Sequence, residues 1–245
     1  VVFGVMLGAS WPVMVAFFLI FFLYSLAIAR MRAELGPPAH DLHLMGPDQL
    51  LLNMIGTRGL GKGNLSAFAL FFWFNRAYRA HFSAHSIEGF KIAQLSRIAS
   101  RSMMKAMVVA VVVGILSAYW AMLHSLYRYG YSGKIAGDAF SSQTWMRLEN
   151  WLQFPKEVQL GATVATALGI VFTLFLGMMR ARYTWWFWHP VGFATASSWS
   201  MDRLWSCIFL AWVAKVLITR YGGADAYRKA IPFFVGLVMG EFVVG

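Results

Sequence analysis

The chain has 245 residues, of which 59% are hydrophobic and 13% are charged, and its mean hydropathy is +0.59. Soluble domains have about 45–50% apolar and about 25% charged residues, so this composition excludes a soluble single-domain enzyme, a disordered protein and a disulfide scaffold. The 21 basic and 10 acidic residues give a net charge of +11, and the basic residues lie between apolar runs. That placement is typical of membrane topology and anionic-lipid contacts, and it argues against nucleic-acid binding.

Five apolar segments are long enough to be membrane spans. A helix that crosses a bilayer core of about 30 Å needs about 17–25 predominantly apolar residues. In chain order, the segments are 11–29, 103–125, 160–179, 204–219 and 230–244. The last of them is short, as if it were cut, and we expect residues 1–245 to form a single membrane domain at the C-terminal part of a longer chain.

Two further apolar segments, 65–74 and 185–199, are too short or too interrupted for a simple span. Pro190 removes a backbone donor and disfavours a helical His189, so we predict that any helix is broken between His189 and Gly192. Such pieces are re-entrant or broken helices that line a cavity, or an aromatic belt at the interface. The predicted fold is therefore all-α and polytopic, with about five full spans and two short broken or re-entrant segments.

The polar residues between the spans predict an orientation. Residues 30–102 contain nine basic and four acidic residues, whereas residues 126–159 contain four basic and three acidic ones. Because Lys and Arg are enriched in cytoplasmic loops, we predict that 30–102 is a cytoplasmic loop and 126–159 lies on the other side. Within the loop, residues 87–101 have the pattern of an amphipathic helix that lies on the membrane surface.

Two clusters contain residue types that bind metals: His40, Asp41 and His43, and His81, His85 and Glu88. Neither cluster has a full ligand set at a recognised spacing, so we predict no metal and no cofactor. An ion pair of Glu88 with Arg79 or Lys91 is the favoured interpretation of the second cluster. Whether His124 or His189 ligates a haem or a pigment stays open.

Ionisable and polar residues beside or within the apolar segments are the candidates for function. The candidate substrate-binding or gating residues are Asp48, Gln49, Asn75, Arg76, His189, Lys215 and Glu241. Glu241 has no basic neighbour in its own segment, and we expect it to face protein or a polar cavity, with Lys215 or Arg220 as partner. The chain has no nucleophile elbow, phosphate-binding loop or dinucleotide fingerprint, so we predict no catalytic residue and no enzyme activity.

Three stretches carry a resemblance to a family: RMRAELGPPAHDLHLMGPDQ, FFWFNRAYRAH with HSIEGFKIA, and HPVGFA with LITRYGGADAYRKAIPFFVGLVMGE. They resemble the C-terminal part of large polytopic bacterial integral membrane proteins of unknown function. The glycines and prolines of the last stretch also distantly resemble the ends of oligopeptide-transporter-type proteins. The resemblance implies a protein of the bacterial inner membrane and assigns no functional residue.

The function predicted from these observations is transporter-like movement of a small solute or peptide across the bacterial cytoplasmic membrane. The alternative is a non-catalytic transmembrane subunit of a larger membrane complex, such as an energy-transducing one. The expected partners are membrane lipids and, in the second case, other membrane subunits.

Overall fold

The structure, a computed structural model, describes residues 1–35, 42, 45–78, 81–130, 138–196 and 198–244. In this part of the chain the secondary structure is helical, without strands, as predicted. The helices are α1 (Val2–Met6), α2 (Trp11–Leu35), α3 (Pro47–Leu70), α4 (Phe72–Asn75), α5 (Phe82–Leu95), α6 (Ser100–Tyr129), α7 (Asp138–Gln153), α8 (Leu160–Arg182), α9 (Pro190–Ala196) and α10 (Trp199–Val244). The chain divides into two compact units, Val1–Ser198 and Trp199–Gly245.

Within the described residues, three helices are long and apolar enough to cross a membrane: α2, α6 and α8. They contain the predicted spans 11–29, 103–125 and 160–179. The predicted spans 204–219 and 230–244 lie in α10, which is not one of the three. The predicted total of about five spans is therefore not confirmed, whereas the all-helical class and the apolar character of a membrane protein are.

Helix α2 is accompanied along its whole length by residues 64–88. Contacts occur in the same order along both segments, so the two run parallel. The pairs are Ser10 with Asn64, Phe17 with Phe68, Phe21 with Phe74, Tyr24 with Tyr78, Ser25 with Ser83 and Arg32 with Glu88. The described residues of this segment belong to the end of α3, the four-residue α4, the non-helical residues 76–78 and 81, and the start of α5. The described residues of this interrupted segment thus lie beside α2 from its first turn to its last.

Helix α3 is itself interrupted at two glycines. Gly56 and Gly61 have φ of 76° and 75° with ψ of 161° and 162°, a backbone region that is essentially restricted to glycine. Residues 156–159 bind backbone groups next to the first break, through hydrogen bonds from Thr57 N to Lys156 O at 2.9 Å and from Gln159 N to Asn53 O at 2.9 Å. At the second break Asn64 Nδ2 donates to Leu60 O at 2.6 Å. Irregular backbone is tolerated away from water only with such partners.

The predicted amphipathic helix 87–101 is wrong in its bounds, because α5 ends at Leu95 and α6 begins at Ser100. Arg97 has a φ of 55°, in the left-handed region, and the N–H of Ile98 donates to Ala93 O at 2.8 Å. This arrangement is a Schellman motif, which ends a helix by satisfying its last carbonyls. The end of α5 is not evident in the sequence because an arginine occupies the position at which glycine is usual.

The interruption predicted at His189–Gly192 is present. Residues 183–189 are not helical, and Pro190 is the first residue of α9. Proline is favoured at the first position of a helix, where its missing N–H is not needed. Gly192 lies inside α9, so Pro190 and not the glycine marks the boundary.

Candidate functional site

Asp48 is a buried carboxylate in the first turn of α3. Its side chain is 2% exposed, Oδ2 accepts a hydrogen bond from Arg147 Nη2 at 2.7 Å, and Oδ1 accepts one from Asn75 Nδ2 at 3.1 Å. Gly46, which precedes α3, is packed so closely against Asp48 Oδ1 and Asn75 Nδ2 that a Cβ atom there would collide with both. Asp48 therefore ties three elements together: the start of α3, the end of α4 and α7.

Arg147 reaches Asp48 from α7, in the region predicted to be an outer loop. Its guanidinium carbon lies 4.2 Å from the centre of the Phe72 ring and 5.0 Å from that of the Trp151 ring. Guanidinium groups are attracted to aromatic faces, and this attraction strengthens when water is excluded. The ion pair with Asp48 is thus held in place on its basic side by two rings.

Two buried polar atoms of residues 75–78 have no hydrogen-bond partner among the described residues: Asn75 Oδ1, whose Nδ2 donates to Asp48, and the Tyr78 hydroxyl. Asn75 is 1% exposed and Tyr78 is fully buried. The Tyr78 ring packs against the Tyr24 ring with centroids 5.9 Å apart, at the middle of α2. Buried polar atoms without partners are rare in native proteins because each costs about 1–3 kcal/mol. Such atoms are expected where a ligand or water supplies the missing bond.

The structure brings three of the predicted residues, Asp48, Asn75 and Arg76, into one region. Arg76 follows Asn75 directly, and its Nε donates to Gln143 Oε1 of α7 at 2.9 Å. It also lines a cavity of about 560 Å³ together with Trp73 and Trp145. Gln49 is the next residue after Asp48, but its amide points along α3, where Nε2 donates to Asn53 Oδ1 at 3.0 Å.

His189 lies elsewhere, at the end of α2. Its Nδ1 accepts the Val191 N–H at 3.1 Å, so in the neutral ring Nε2 carries the proton and donates to Glu34 Oε2 at 3.2 Å. Burial lowers the pKa of His189, Arg180 lowers it further, and Glu34 opposes both. A neutral His189 at pH 7 thus links the segment before α9 to α2.

Glu88 forms its ion pair with a residue that the sequence interpretation did not consider. Its Oε1 accepts from Arg32 Nε at 2.6 Å, and His85 Nδ1 is 3.5 Å from its Oε2. The predicted partner Arg79 lies outside the described residues, and Lys91 donates instead to Gln94 Oε1 at 3.2 Å. The hydrogen bond from Arg32 is the main cause of a lowered pKa of Glu88.

This lowered pKa predicts a pH dependence of stability. A carboxylate whose folded-state pKa is depressed stabilises the protein above its unfolded pKa, and that contribution is lost as pH falls through the folded value. We expect the wild-type unfolding temperature to fall below about pH 4.3 in part through Glu88, and the variant Glu88→Gln to lose that part. Lys91→Gln, which removes an exposed charge of α5 that donates to Gln94, is the control. Identical acid profiles for wild type and Glu88→Gln would contradict the assignment.

Lys215 and Glu241 lie in the second unit, in α10. The Lys215 ammonium is 5.5 Å from the centre of the Tyr227 ring. Positions around Gly236 and Gly240 are open, with no atom within 4 Å of an added Cβ, and no ion pair of Glu241 occurs among the described residues. The predicted helix approach on the glycine face, and the partner of Glu241, stay predictions.

No group of three metal-binding side chains occurs in the described parts of the chain. The first predicted cluster, His40, Asp41 and His43, lies outside them. In the second cluster, His81 Nδ1 is 2.8 Å from Ser83 Oγ and caps the start of α5, while His85 faces Glu88. His124 stacks on Trp120 with ring centroids 5.4 Å apart on the exposed surface of α6.

Sequence reasoning missed Arg147 and Tyr78. Arg147 lies in WMRLENWL, a pattern that places Trp151 at i+4, on the same helix face as the arginine. Tyr78 lies in NRAYRAH, a stretch whose two arginines indicate a polar surface. The burial of a single tyrosine in a polar stretch has no local signal.

Comparison with known proteins adds one finding. A model of a family of unknown function, DUF6785, matches residues 1–245. No curated protein and no solved structure matches the chain significantly, so the resemblance to oligopeptide transporters stays a prediction. The match extends over the entire chain, and the protein therefore belongs to the DUF6785 family of unknown function.

Proposed function

We propose that this protein is a membrane carrier for a small solute and that the solute binds around Asp48, Asn75 and Tyr78. The observation that carries the proposal is the pair of buried atoms without a partner among the described residues, Asn75 Oδ1 and the Tyr78 hydroxyl. Asn75 also donates to Asp48, which forms the buried ion pair with Arg147. Together they offer a hydroxyl, an amide oxygen and two opposite charges to one ligand.

The depth of this group along α2 supports the proposal. Phe74 packs on Phe21 at 5.2 Å and Tyr78 packs on Tyr24 at 5.9 Å, about halfway along the candidate span Trp11–Leu35. Charged groups at membrane depth are costly and mark substrate pathways. In this proposal residues 64–78 lie beside α2 at membrane depth, which replaces their interpretation as part of a cytoplasmic loop.

The interrupted helices support the same function. Asp48 begins α3, Asn75 ends α4, and α3 is broken at Gly56 and Gly61. Secondary transporters bind their substrates where discontinuous helices end near the bilayer midplane. Helix ends expose backbone groups and can move relative to one another, and a carrier needs both properties.

The experiment uses the full-length protein in liposomes and a panel of amino acids, dipeptides, sugars, nucleosides and carboxylates, with uptake read by mass spectrometry. For the solute that enters, Tyr78→Phe should lower apparent affinity about tenfold, the value of one good hydrogen bond to a polar ligand. The same change should leave the unfolding temperature equal or higher, because the hydroxyl has no protein partner among the described residues.

Tyr119→Phe, on the exposed surface of α6, is the matched control and should leave uptake unchanged. Unchanged uptake by Tyr78→Phe would place the solute elsewhere. Uptake of every panel solute at the level of protein-free liposomes would contradict the carrier proposal.

Helix α6 favours the second candidate, a subunit of a larger membrane complex. None of the 30 residues of this candidate span is buried, and a neighbouring subunit would cover such a helix. Purification of the native protein in a mild detergent tests this candidate. A stable assembly with other membrane proteins supports it, and an isolated protein that still transports excludes it.

A further inference from the structure

A cavity in the second unit is lined from both sides of the break in α10. The backbone of α10 is not helical at Gly223, and residues before and after this glycine line the same cavity. The lining includes Ala211 and Lys215 from the first arm and Tyr227, Val235 and Met239 from the second, and the volume is about 470 Å³. Cavities that bind small molecules have volumes of about 300–1,000 Å³ and mostly apolar walls. This cavity has both properties.

Lys215 is the charged residue in this apolar lining. Its ammonium lies over the Tyr227 ring at 5.5 Å, and no carboxylate lies within ion-pair distance of it among the described residues. Lys215 is exposed, so its ammonium is accessible to an anion that comes from outside the unit.

The two ends of the cavity differ in character. Lys215 and Tyr227 are close in sequence to Gly223, whereas Ala211 and Met239 are far from it. The chain around Gly223 carries three further basic residues and one acidic residue: Arg220, Arg228, Lys229 and Asp225. These residues flank the break outside the lining, whereas the lining apart from Lys215 and the Tyr227 hydroxyl is apolar. A charged group beside an apolar wall suits an anionic head with a hydrocarbon tail.

We propose that this cavity binds an anionic phospholipid, with the phosphate at Lys215 and one acyl chain along Val235 and Met239. The surrounding basic residues favour a phosphate headgroup over the single carboxylate of a fatty acid, because each basic side chain near it adds attraction. Basic pockets between membrane helices recognise lipid headgroups in this way. This site lies in a different unit from Asp48 and does not depend on the carrier function.

The test measures lipid retention by the full-length protein in detergent, read by native mass spectrometry. The protein is offered equimolar phosphatidylglycerol and phosphatidylcholine with identical acyl chains. Wild type should retain phosphatidylglycerol about fivefold in preference, the effect of one basic side chain near a lipid phosphate. Lys215→Gln should abolish the preference. Lys105→Gln removes a charge from the exposed apolar helix α6 and should preserve it.

Two further variants test the same lipid preference if Lys215→Gln cannot be purified. Lys215→Arg should keep the preference because it keeps the charge, and Val235→Trp should lower retention of both lipids because it fills the cavity. Loss of the preference in Lys215→Arg, or full preference in Lys215→Gln, would overturn the proposal. Displacement of the lipid by oleate at equal concentration would assign the site to a fatty acid, and displacement by glycerol phosphate would exclude a role of the acyl chain.

Discussion

Replacing Arg147 by methionine is expected to lower the free energy of unfolding by about 3–5 kcal/mol, because the change leaves Asp48 as an unpaired charge in a buried site. Methionine keeps much of the apolar stem that packs on Phe72 and Trp151, so the loss reports mainly on the charge. The measurement is chemical unfolding of the purified protein in detergent micelles at constant pH.

The double variant Asp48→Asn with Arg147→Met is expected to regain most of the lost stability. A buried ion pair is often replaceable as a unit, since removal of both charges also removes both desolvation costs. Arg128→Met is the matched control, since Arg128 also packs on an aromatic ring, Tyr129, and lies on the exposed surface of α6. A double variant as unstable as Arg147→Met alone would show that Asp48 is not the reason for the loss.

Replacing Gly56 by alanine is expected to destabilise the protein by about 1–3 kcal/mol, because alanine is strained at a φ of 76° and a ψ of 161°. The added Cβ would also lie 3.0 Å from Lys156 O, the carbonyl that accepts the Thr57 N–H. Hydrogen exchange at Thr57 and Gln159 should therefore accelerate together, which distinguishes a local opening of this contact from general unfolding.

For Gly114→Ala, in a regular helix, we expect the opposite change in stability. Gly114 lies inside α6 with open space around it, so alanine should stabilise the protein by roughly 0.5–1 kcal/mol. Equal effects of the two substitutions would mean that α3 passes through Gly56 as a regular helix in solution.

Long apolar runs were the part of the fold that could be predicted from the sequence. The spans 11–29, 103–125 and 160–179 match α2, α6 and α8 because length and apolar composition alone decide whether a helix suits a bilayer. The end of the apolar segment 65–74 and the break at Pro190 were also predictable, since a polar residue after an apolar run and a proline act locally. Helix α7 was missed because its residues are mixed in polarity and its packing partner lies in α3.

The candidate site could be predicted in part and for a similar reason. Asp48, Asn75 and Arg76 attract attention as polar residues that border apolar segments, but no local pattern shows that Asp48 and Asn75 meet. Their contact requires the chain to return to the start of α3 after the two interruptions at Gly56 and Gly61. Arg147 is 99 positions from Asp48 in sequence, a separation that no periodicity reports.

The parallel course of α2 and residues 64–88 has a consequence for biosynthesis. In the proposed carrier, the interrupted and partly polar segment enters the membrane against an α2 that is already inserted. Their pairs keep nearly the same sequence separation, 54 for Ser10 and Asn64, 58 for Ser25 and Ser83 and 56 for Arg32 and Glu88. Once the first pair forms, each later pair closes almost no additional loop, and loop-closure entropy grows only with the logarithm of length. The pairs between the two segments should therefore form one after another along the chain. The interrupted segment acquires its position from its contacts with α2.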